Sequence, residues 1–491
     1  MEAWSPKIVA FLCTWCSYAG ADLAGTGRNQ YPPNIRVIRI PCSGRINPLY
    51  IIKALLEGAD GVMVSGCHPG DCHYLVGNYY ARRRFVVLKK LLTTAGIEAD
   101  RVHFTWVSAS EGARFADVVK EVTEKVTAMG PSTIVGAKHN QDSSGNNCPQ
   151  NDSAAVILSD IEESYSFEEQ QSELIPLCKK LLEGGTVSII IGFQEGGEMG
   201  LSVPYFLNSP AETDKLVWNN RCVPSLSGYL CEVHSSPGDI PGKTAIIAKP
   251  CDARAVVNLI KENQLKRDDV YIIGLTCDGM VDNSGTPLPA CINCKVRIPP
   301  VYDVLVGDSG LENDSTNEIT GQARNDEQQA SAQETIRQRT VPCLTENKAA
   351  DNSLERFKSE MDKCILCFSC RQSCYGCYCK TCFIERGEPD WQTASPDIGT
   401  KMLYHLGRAT HLSGRCVECG ACENACASGV DIRYLIREVT RFIEETYDYQ
   451  TGMDLATESA MLSYKADDPE IGFLGFESPD ENGCKGGDAG D

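Results

Sequence analysis

The sequence has no unbroken apolar run of about 18 residues, so none of its 491 residues is expected to span a membrane. Residues 1–5 offer no basic segment. The apolar "IVAFLC" that follows is too short for an export signal and reads as a strand. Positive charge is scarce as well. Lys and Arg number 46 against 66 Asp and Glu, a net charge of −20. Nucleic-acid binding needs a basic footprint, and this balance argues against it. No serine nucleophile elbow, P-loop or convincing nicotinamide fingerprint occurs, so no catalytic constellation is evident.

What is plentiful is cysteine. There are 26, about 5%, short of the density of a small secreted disulfide scaffold. Many fall in C-x-x-C pairs. A cysteine-rich chain without an export signal points to the reduced cytoplasm, where clustered thiolates bind metals rather than pair as disulfides.

Residues 7–129 alternate between strand-like apolar runs (7–13, 35–42, 61–67, 101–109) and helical patterns (47–59, 78–97, 111–129). Buried strands alternating with helices predict a parallel sheet with helices packed on it. A second α/β region has a helix at 174–185, strands at 186–193, 243–251 and 269–277, and a helix at 252–264. The predicted organisation is therefore an α/β domain (1–130), a polar linker (131–170), a second α/β domain (171–306), a polar linker (307–353), an α-rich two-cluster ferredoxin-like domain (354–450) and an acidic tail (451–491). The tail carries ten acidic and two basic residues, net −8, and reads as mostly solvated or draped on a partner.

The C-terminal domain holds the strongest signal. C-x-x-C-x-x-C-x-x-x-C occurs at Cys364, Cys367, Cys370 and Cys374, and again at Cys416, Cys419, Cys422 and Cys426. Three cysteines at three-residue spacing let one tight loop wrap a cubane, and the fourth reaches the neighbouring cluster. By that rule Cys364, Cys367, Cys370 and Cys426 hold one 4Fe–4S cluster, and Cys416, Cys419, Cys422 and Cys374 hold another. Zinc also uses C-x-x-C pairs, but two identical four-cysteine strings fit cubanes better. The proline that usually follows the fourth cysteine is replaced by Tyr375 and Ala427. Cys377, Cys379 and Cys382 follow at once, as extra ligands or as thiols packed beside the cluster. A core-spaced helix closes the domain, with Ile432, Leu435, Ile436, Val439, Phe442 and Ile443 on one face.

The N-terminal domain places cysteines at strand ends. Cys13 ends the first strand, with Cys16 three residues later. Cys42 ends the second, Cys67 ends the third, and Cys72 lies on the loop beyond. In a parallel sheet all carboxyl ends share one edge, where ligands bind. Four thiolates there suit an iron–sulfur cluster or a structural zinc. His68 and His73 read as polar loop residues. The middle region repeats the pattern with Cys251, Cys277, Cys291 and Cys294, a candidate for a third 4Fe–4S cluster; the bland reading is a turn residue with a zinc pair or free thiols. Cys222 and Cys231 read as packing residues.

"CTWCSYAGADLAG", "YPPNIRVIRIPCSGRINP" and "ALLEGADGVMVSGCHPGDCHYLVGNYYARRR" resemble the small iron–sulfur (delta) subunit of methyl-viologen-reducing hydrogenase, over about residues 5–130. The resemblance implies a 2Fe–2S cluster held by four of Cys13, Cys16, Cys42, Cys67 and Cys72, with Cys13 or Cys16 the expected spare. It also implies a hetero-oligomeric complex in which the chain joins an HdrA-like (heterodisulfide-reductase-type) flavoprotein to a hydrogenase, formate dehydrogenase or related oxidoreductase. "KPCDARAV", "GLTCDGMV" and the C-terminal cysteine region are similar to the beta subunits of deazaflavin-dependent hydrogenases and formate dehydrogenases. Those relatives carry FAD, so the alternative is a flavin-bearing subunit that itself oxidises or reduces a nicotinamide or deazaflavin. "GFQEGGEMG" (192–200) is weak as a flavin loop. It departs from G-x-G-x-x-G and puts Glu195 and Glu198 where a phosphate would sit; a strand-to-loop turn is the bland reading. The basic run 79–90 reads as a solvated helix face or as a dock for an acidic redox partner.

Overall fold

The computed structural model describes residues 4–134, 166–197, 200–235, 242–292, 294–307, 353–386, 397–465 and 468–469. Near the N-terminus, β1 (Ile8–Cys13), β2 (Ile35–Ile40), β3 (Gly61–Gly66) and β4 (Val102–Trp106) form one parallel sheet in the order β2-β1-β3-β4. Successive side chains point to opposite faces. Ile8, Ala10 and Leu12 therefore bury against Phe115, Val119 and Val122 of the helix Gly112–Met129. Phe11, Val62 and Val64 turn the other way, into a core with Leu49, Ile52, Phe85 and Leu88 of the helices Pro48–Leu56 and Gly77–Thr94. The chain leaves β1 for β2 on one side and then returns to β3 on the other. The connection thus reverses between β1 and β3, and the crevice beyond their carboxyl ends is the usual ligand position of such a sheet.

The second sheet has the order β6-β5-β7-β8-β9. β5 (Val187–Glu195), β7 (Lys243–Ala248), β8 (Val270–Leu275) and β9 (Val304–Val306) are parallel, and β6 (Ser202–Leu207) runs antiparallel on the edge. The helix before β5 starts earlier than its composition suggests. It spans Phe167–Glu183, so its first turn lies inside the stretch expected to be linker. Ser166 Oγ accepts from the Glu169 N–H, and Glu169 returns a carboxylate to the Ser166 N–H at 2.9 Å. That reciprocal cap satisfies two donors of the first turn. Most of the second expected linker, and the tail beyond residue 469, lie outside the described residues.

The C-terminal region is built from the helices Ser353–Lys363, Ile398–Leu412 and Arg433–Tyr447, with two short helices, Ser369–Gln372 and Ala421–Asn424, in its cysteine loops. Asp397 caps Ile398–Leu412 through the Thr400 N–H at 2.7 Å. This helix is buried nearly all round. No helix was expected here, although Lys401, His405 and Arg408 recur at helical spacing; His405 and Arg408 are buried, so this polar stripe faces the protein interior rather than solvent. The region does not hang on its linkers. Met402, Leu403 and Leu406 join the core of the N-terminal domain, while Val417 and Tyr375 join the core of the middle domain.

The described part of the expected acidic tail, residues 451–465 and 468–469, is packed on the chain itself. Arg254 donates to the Thr451 carbonyl at 2.9 Å. Further on, Tyr464 stacks on Tyr79 with ring centroids 5.1 Å apart. The basic run is correspondingly not a solvated face. Arg82 and Arg83 are buried, and Arg83 grips Asp468 with two bonds, of 2.8 and 2.5 Å. The acidic group that meets this run belongs to the same chain.

Candidate metal centres

The five N-terminal cysteines converge, all buried, at the carboxyl edge of the first sheet. Cys13 is the last residue of β1 and Cys67 follows β3, so the two face each other across the β1–β3 crevice, 4.0 Å apart at sulfur. Cys16 Sγ lies 2.9 Å from Cys67 Sγ. Cys42 and Cys72 form the other side at 3.9 Å. The sulfurs of Cys13, Cys16 and Cys67 all lie within 4.8 Å of one another. Cys13 and Cys16, the expected candidates for the spare thiol, are thus both inside the tightest group, and neither stands apart.

Hydrogen bonds from Cys16 and then Cys42 draw the Cys13 thiol below its ordinary value. Its hydrogen bond to Cys13 pushes Cys16 up to about 12. Thiols this close cannot all ionise unless a cation compensates the charge, which is the donor set of a metal or cluster site. Gly77 opens the helix beside it. A Cβ there would fall 2.7 Å from Cys42 Sγ and 3.3 Å from Cys72 Sγ. Gly77→Ala is accordingly expected to empty this site alone, lowering anaerobic iron content by about two atoms per chain with the far-UV circular dichroism unchanged. Unaltered iron would show that the sulfurs do not converge on a bound group. The histidines are engaged elsewhere: His68 Nε2 meets Glu111 at 2.8 Å, and His73 stacks on Trp15 with centroids 3.7 Å apart.

The two C-terminal motifs fold alike. Leu366 and Glu418, each two residues after a first cysteine, have φ of 52° and 58°. Phe368 and Gly420, two further on, have φ of 62° and 74°. In both loops the N–H of the third residue points at the first sulfur: Leu366 to Cys364 at 3.4 Å, Glu418 to Cys416 at 3.3 Å. Such N–H···S bonds are one means by which a loop stabilises ligating thiolates. Across the loops, burial raises the Cys364 thiol, with Cys370 and Cys426 as further like-charged neighbours. Cys374, also held up by its partner Cys377 and by burial, has Cys422 nearby. Each fourth cysteine therefore lies toward the opposite motif. Cys377 hydrogen-bonds Cys374, Cys379 is exposed, and Cys382 caps the short turn Phe383–Glu385.

The middle cysteines gather at the carboxyl ends of β7 and β8. Burial holds Cys251 well above the usual thiol value, with Cys419 and Cys277 among its neighbours. Cys277, pushed up to about 11 chiefly by burial, has Cys291 and Cys294 nearby. This group abuts the second C-terminal motif: a Cβ on Gly420 would lie 2.5 Å from that of Ala290. Tyr375 seals the contact, since its hydroxyl accepts from Asn258 at 2.9 Å and donates to the Arg415 carbonyl. The residue that departs from the usual proline thus docks one domain on the other. Cys178 and Cys222 are fully buried in the middle core, and Cys231 packs against it. "GFQEGGEMG" turns β5 into antiparallel β6, so no helix N-terminus follows it to receive a phosphate; Glu198 lies outside the described residues.

Fold and site together define an α/β domain with a thiol-lined centre at its topological switch point. Residues 8–130 match the family described as "Methyl-viologen-reducing hydrogenase, delta subunit". The vhc iron–sulfur D subunit of the F420-non-reducing hydrogenase of Methanococcus voltae is 56% identical over 133 residues, 27% of this chain and 92% of the relative. The corresponding iron–sulfur D subunit of the F420-non-reducing hydrogenase of Archaeoglobus profundus is 54% identical over 130 residues, 26% of this chain and 95% of the relative. The A subunit of the ferredoxin:CoB-CoM heterodisulfide reductase of Methanosarcina mazei is 49% identical over 126 residues, 26% of this chain but only 16% of the relative. Through this N-terminal domain the chain belongs to the methyl-viologen-reducing hydrogenase delta-subunit family. Among the described residues no helix is long and apolar enough to cross a membrane.

Proposed function

We propose that the chain is an electron-transferring iron–sulfur subunit of a flavin-based oxidoreductase complex, relaying electrons between an HdrA-like flavoprotein and a hydrogenase, formate dehydrogenase or similar partner. The observation that carries the reading is the contiguity of three of the four thiol groups, the middle one and the two C-terminal motifs. The middle group adjoins the second C-terminal motif through Cys251 and Cys419, and that motif adjoins the first through Cys374 and Cys422. When bound, iron–sulfur clusters supply one-electron carriers whose potentials follow cluster type, charge and hydrogen bonding. The protein's part is to hold them at fixed spacing and to leave openings at the ends. Exposed apolar residues lie beside three of the four groups: Trp15 and Leu75 by the N-terminal cysteines, Ile292 by Cys291, and Ile365 by Cys364. The names of the relatives, a hydrogenase iron–sulfur subunit and a heterodisulfide reductase, support partners on both sides.

The expected complement is one 2Fe–2S and three 4Fe–4S clusters, about 14 iron atoms per chain. The test is anaerobic co-purification from the native host, with partners identified and iron and acid-labile sulfide measured. Zinc in place of iron, or absence of sulfide, would overturn the reading. So would bound flavin with dye reduction by a reduced nicotinamide or deazaflavin in the isolated chain.

A further inference from the structure

Between the two C-terminal cysteine loops lies a buried cation that no carboxylate answers among the described residues. Arg408, on the helix Ile398–Leu412, is 2% exposed. Its Nη2 donates to the Cys370 carbonyl at 3.0 Å. Nε and Nη1 make no hydrogen bond of ordinary length among the described residues, and the guanidinium is a hydrogen-bond partner of the Cys377 thiol, which Cys374 first and then Arg408 draw down. The charged groups that bear on it most strongly are the Cys377, Cys370 and Cys374 thiols and the Tyr404 phenol. Cys422 feels it in turn, after burial, as the largest influence on its thiol. Cys370 belongs to the first site, while Cys422 and, by the crossover, Cys374 belong to the second. The guanidinium therefore faces both.

Lys249, beside the middle site, is different. It is equally buried, but Asp252 pairs with it at 3.0 Å, and the Cys222 and Pro224 carbonyls take further bonds. Its charge is largely cancelled where it stands. An arginine keeps its proton in any protein setting, and an isolated buried charge is costly unless an anion compensates it. A thiolate-ligated cluster is such an anion, and it gains negative charge when reduced.

We propose that Arg408 is an electrostatic bridge shared by the two C-terminal cluster sites, raising the reduction potential of both relative to the middle site. It is a positioning residue in that it ligates nothing and acts through its charge. The consequence is a preferred resting place for electrons within the relay, in the C-terminal pair rather than at the middle site. The inference rests on the reading of the eight cysteines as cluster ligands, and the experiment separates the two.

The measurement is an anaerobic redox titration followed by electron paramagnetic resonance on the full chain, with iron and sulfide determined on the same samples. Absence of clusters from the parent protein overturns the function reading and this inference with it. With clusters present, Arg408→Gln should weaken the electron affinity of both C-terminal clusters, each on the order of tenfold, equivalent to about 59 mV for a one-electron couple; a shift confined to one cluster overturns the shared bridge. Arg408→Lys, which keeps the charge, should stay within a third of that shift. If Arg408→Gln cannot retain its iron, Arg408→Lys must. Equal potentials in the parent and Arg408→Gln, at equal iron, overturn the inference. So does loss of iron from both variants, which would make the residue a matter of shape rather than charge.

Discussion

A Cys370→Ala/Cys426→Ala double variant is expected to lose about four iron atoms per chain rather than about eight. The two residues sit in different motifs, 56 positions apart in the chain. If each motif ligated its own cluster, removing one cysteine from each would damage both clusters. In the structure, however, Cys370 and Cys426 are both neighbours of Cys364, and Cys374 is a neighbour of Cys422. The double change should therefore strip one site and leave the other with all four thiols. The matched control is Cys370→Ala/Cys374→Ala, which lies within a single motif and should cost about eight irons. Iron and sulfide analysis on anaerobically prepared chain decides between the arrangements. A reversal of the two results would place each fourth cysteine in its own loop. Removing a ligand also leaves buried thiols facing one another without a compensating cation, so partial destabilisation of the C-terminal region should accompany the loss.

The second large effect concerns the Arg83–Asp468 pair. Both side chains are almost fully buried, at 4% and 3% exposure. The guanidinium makes two bonds to the carboxylate and two more, each of 2.9 Å, to the Ala460 carbonyl and Ser463 Oγ. It also lies over the Tyr447 ring at 4.4 Å. Breaking a buried pair by removing one partner typically costs about 3–5 kcal/mol, because the other charge is stranded. Arg83→Met strands Asp468 on the segment that follows the helix Arg433–Tyr447, and that segment can escape the penalty by detaching from the helix Gly77–Thr94. The loss is then capped at the docking free energy of residues 451–468, and the result should be release of that segment rather than global unfolding. Limited proteolysis should cut the variant after Tyr464 while the parent resists, with the midpoint of thermal unfolding lowered. Asp468→Asn, which leaves a hydrogen-bonding side chain in place, should release the segment less. Identical cleavage of parent and Arg83→Met would show that the pair does not hold the tail.

These expectations differ in how early they could be seen. The repeated cysteine motif is legible because its geometry is local. Three-residue spacing, with left-handed backbone at Leu366 and Phe368 and again at Glu418 and Gly420, sets the loop within a few dihedrals. The N-terminal site was legible for a related reason. Cys13 and Cys67 end or follow buried strands, and a parallel sheet brings its carboxyl ends to one edge. The helix Ile398–Leu412 was not expected, and its polar stripe would have misled in any case, since His405 and Arg408 are buried in the protein rather than solvated. Arg82 and Arg83, expected on a solvated face or at a dock for an acidic partner, are instead buried within the chain. A basic run on a helix is usually exposed, and the acid that buries this one lies 385 residues further along the chain.

The sequence by itself determined the chemical class of the sites and the parallel-sheet architecture. Thiol spacing and strand-end placement depend on neighbours within a turn or two, or on a rule common to all parallel sheets. Only the tertiary structure decided how the groups are joined. It sets Cys251 beside Cys419, makes Tyr375 the seal between two domains, buries Arg408 between the two loops, and folds the acidic segment back on the first domain. Each of these depends on which faces pack together across hundreds of residues. No local pattern encodes that choice, because burial and charge compensation are properties of the assembled core.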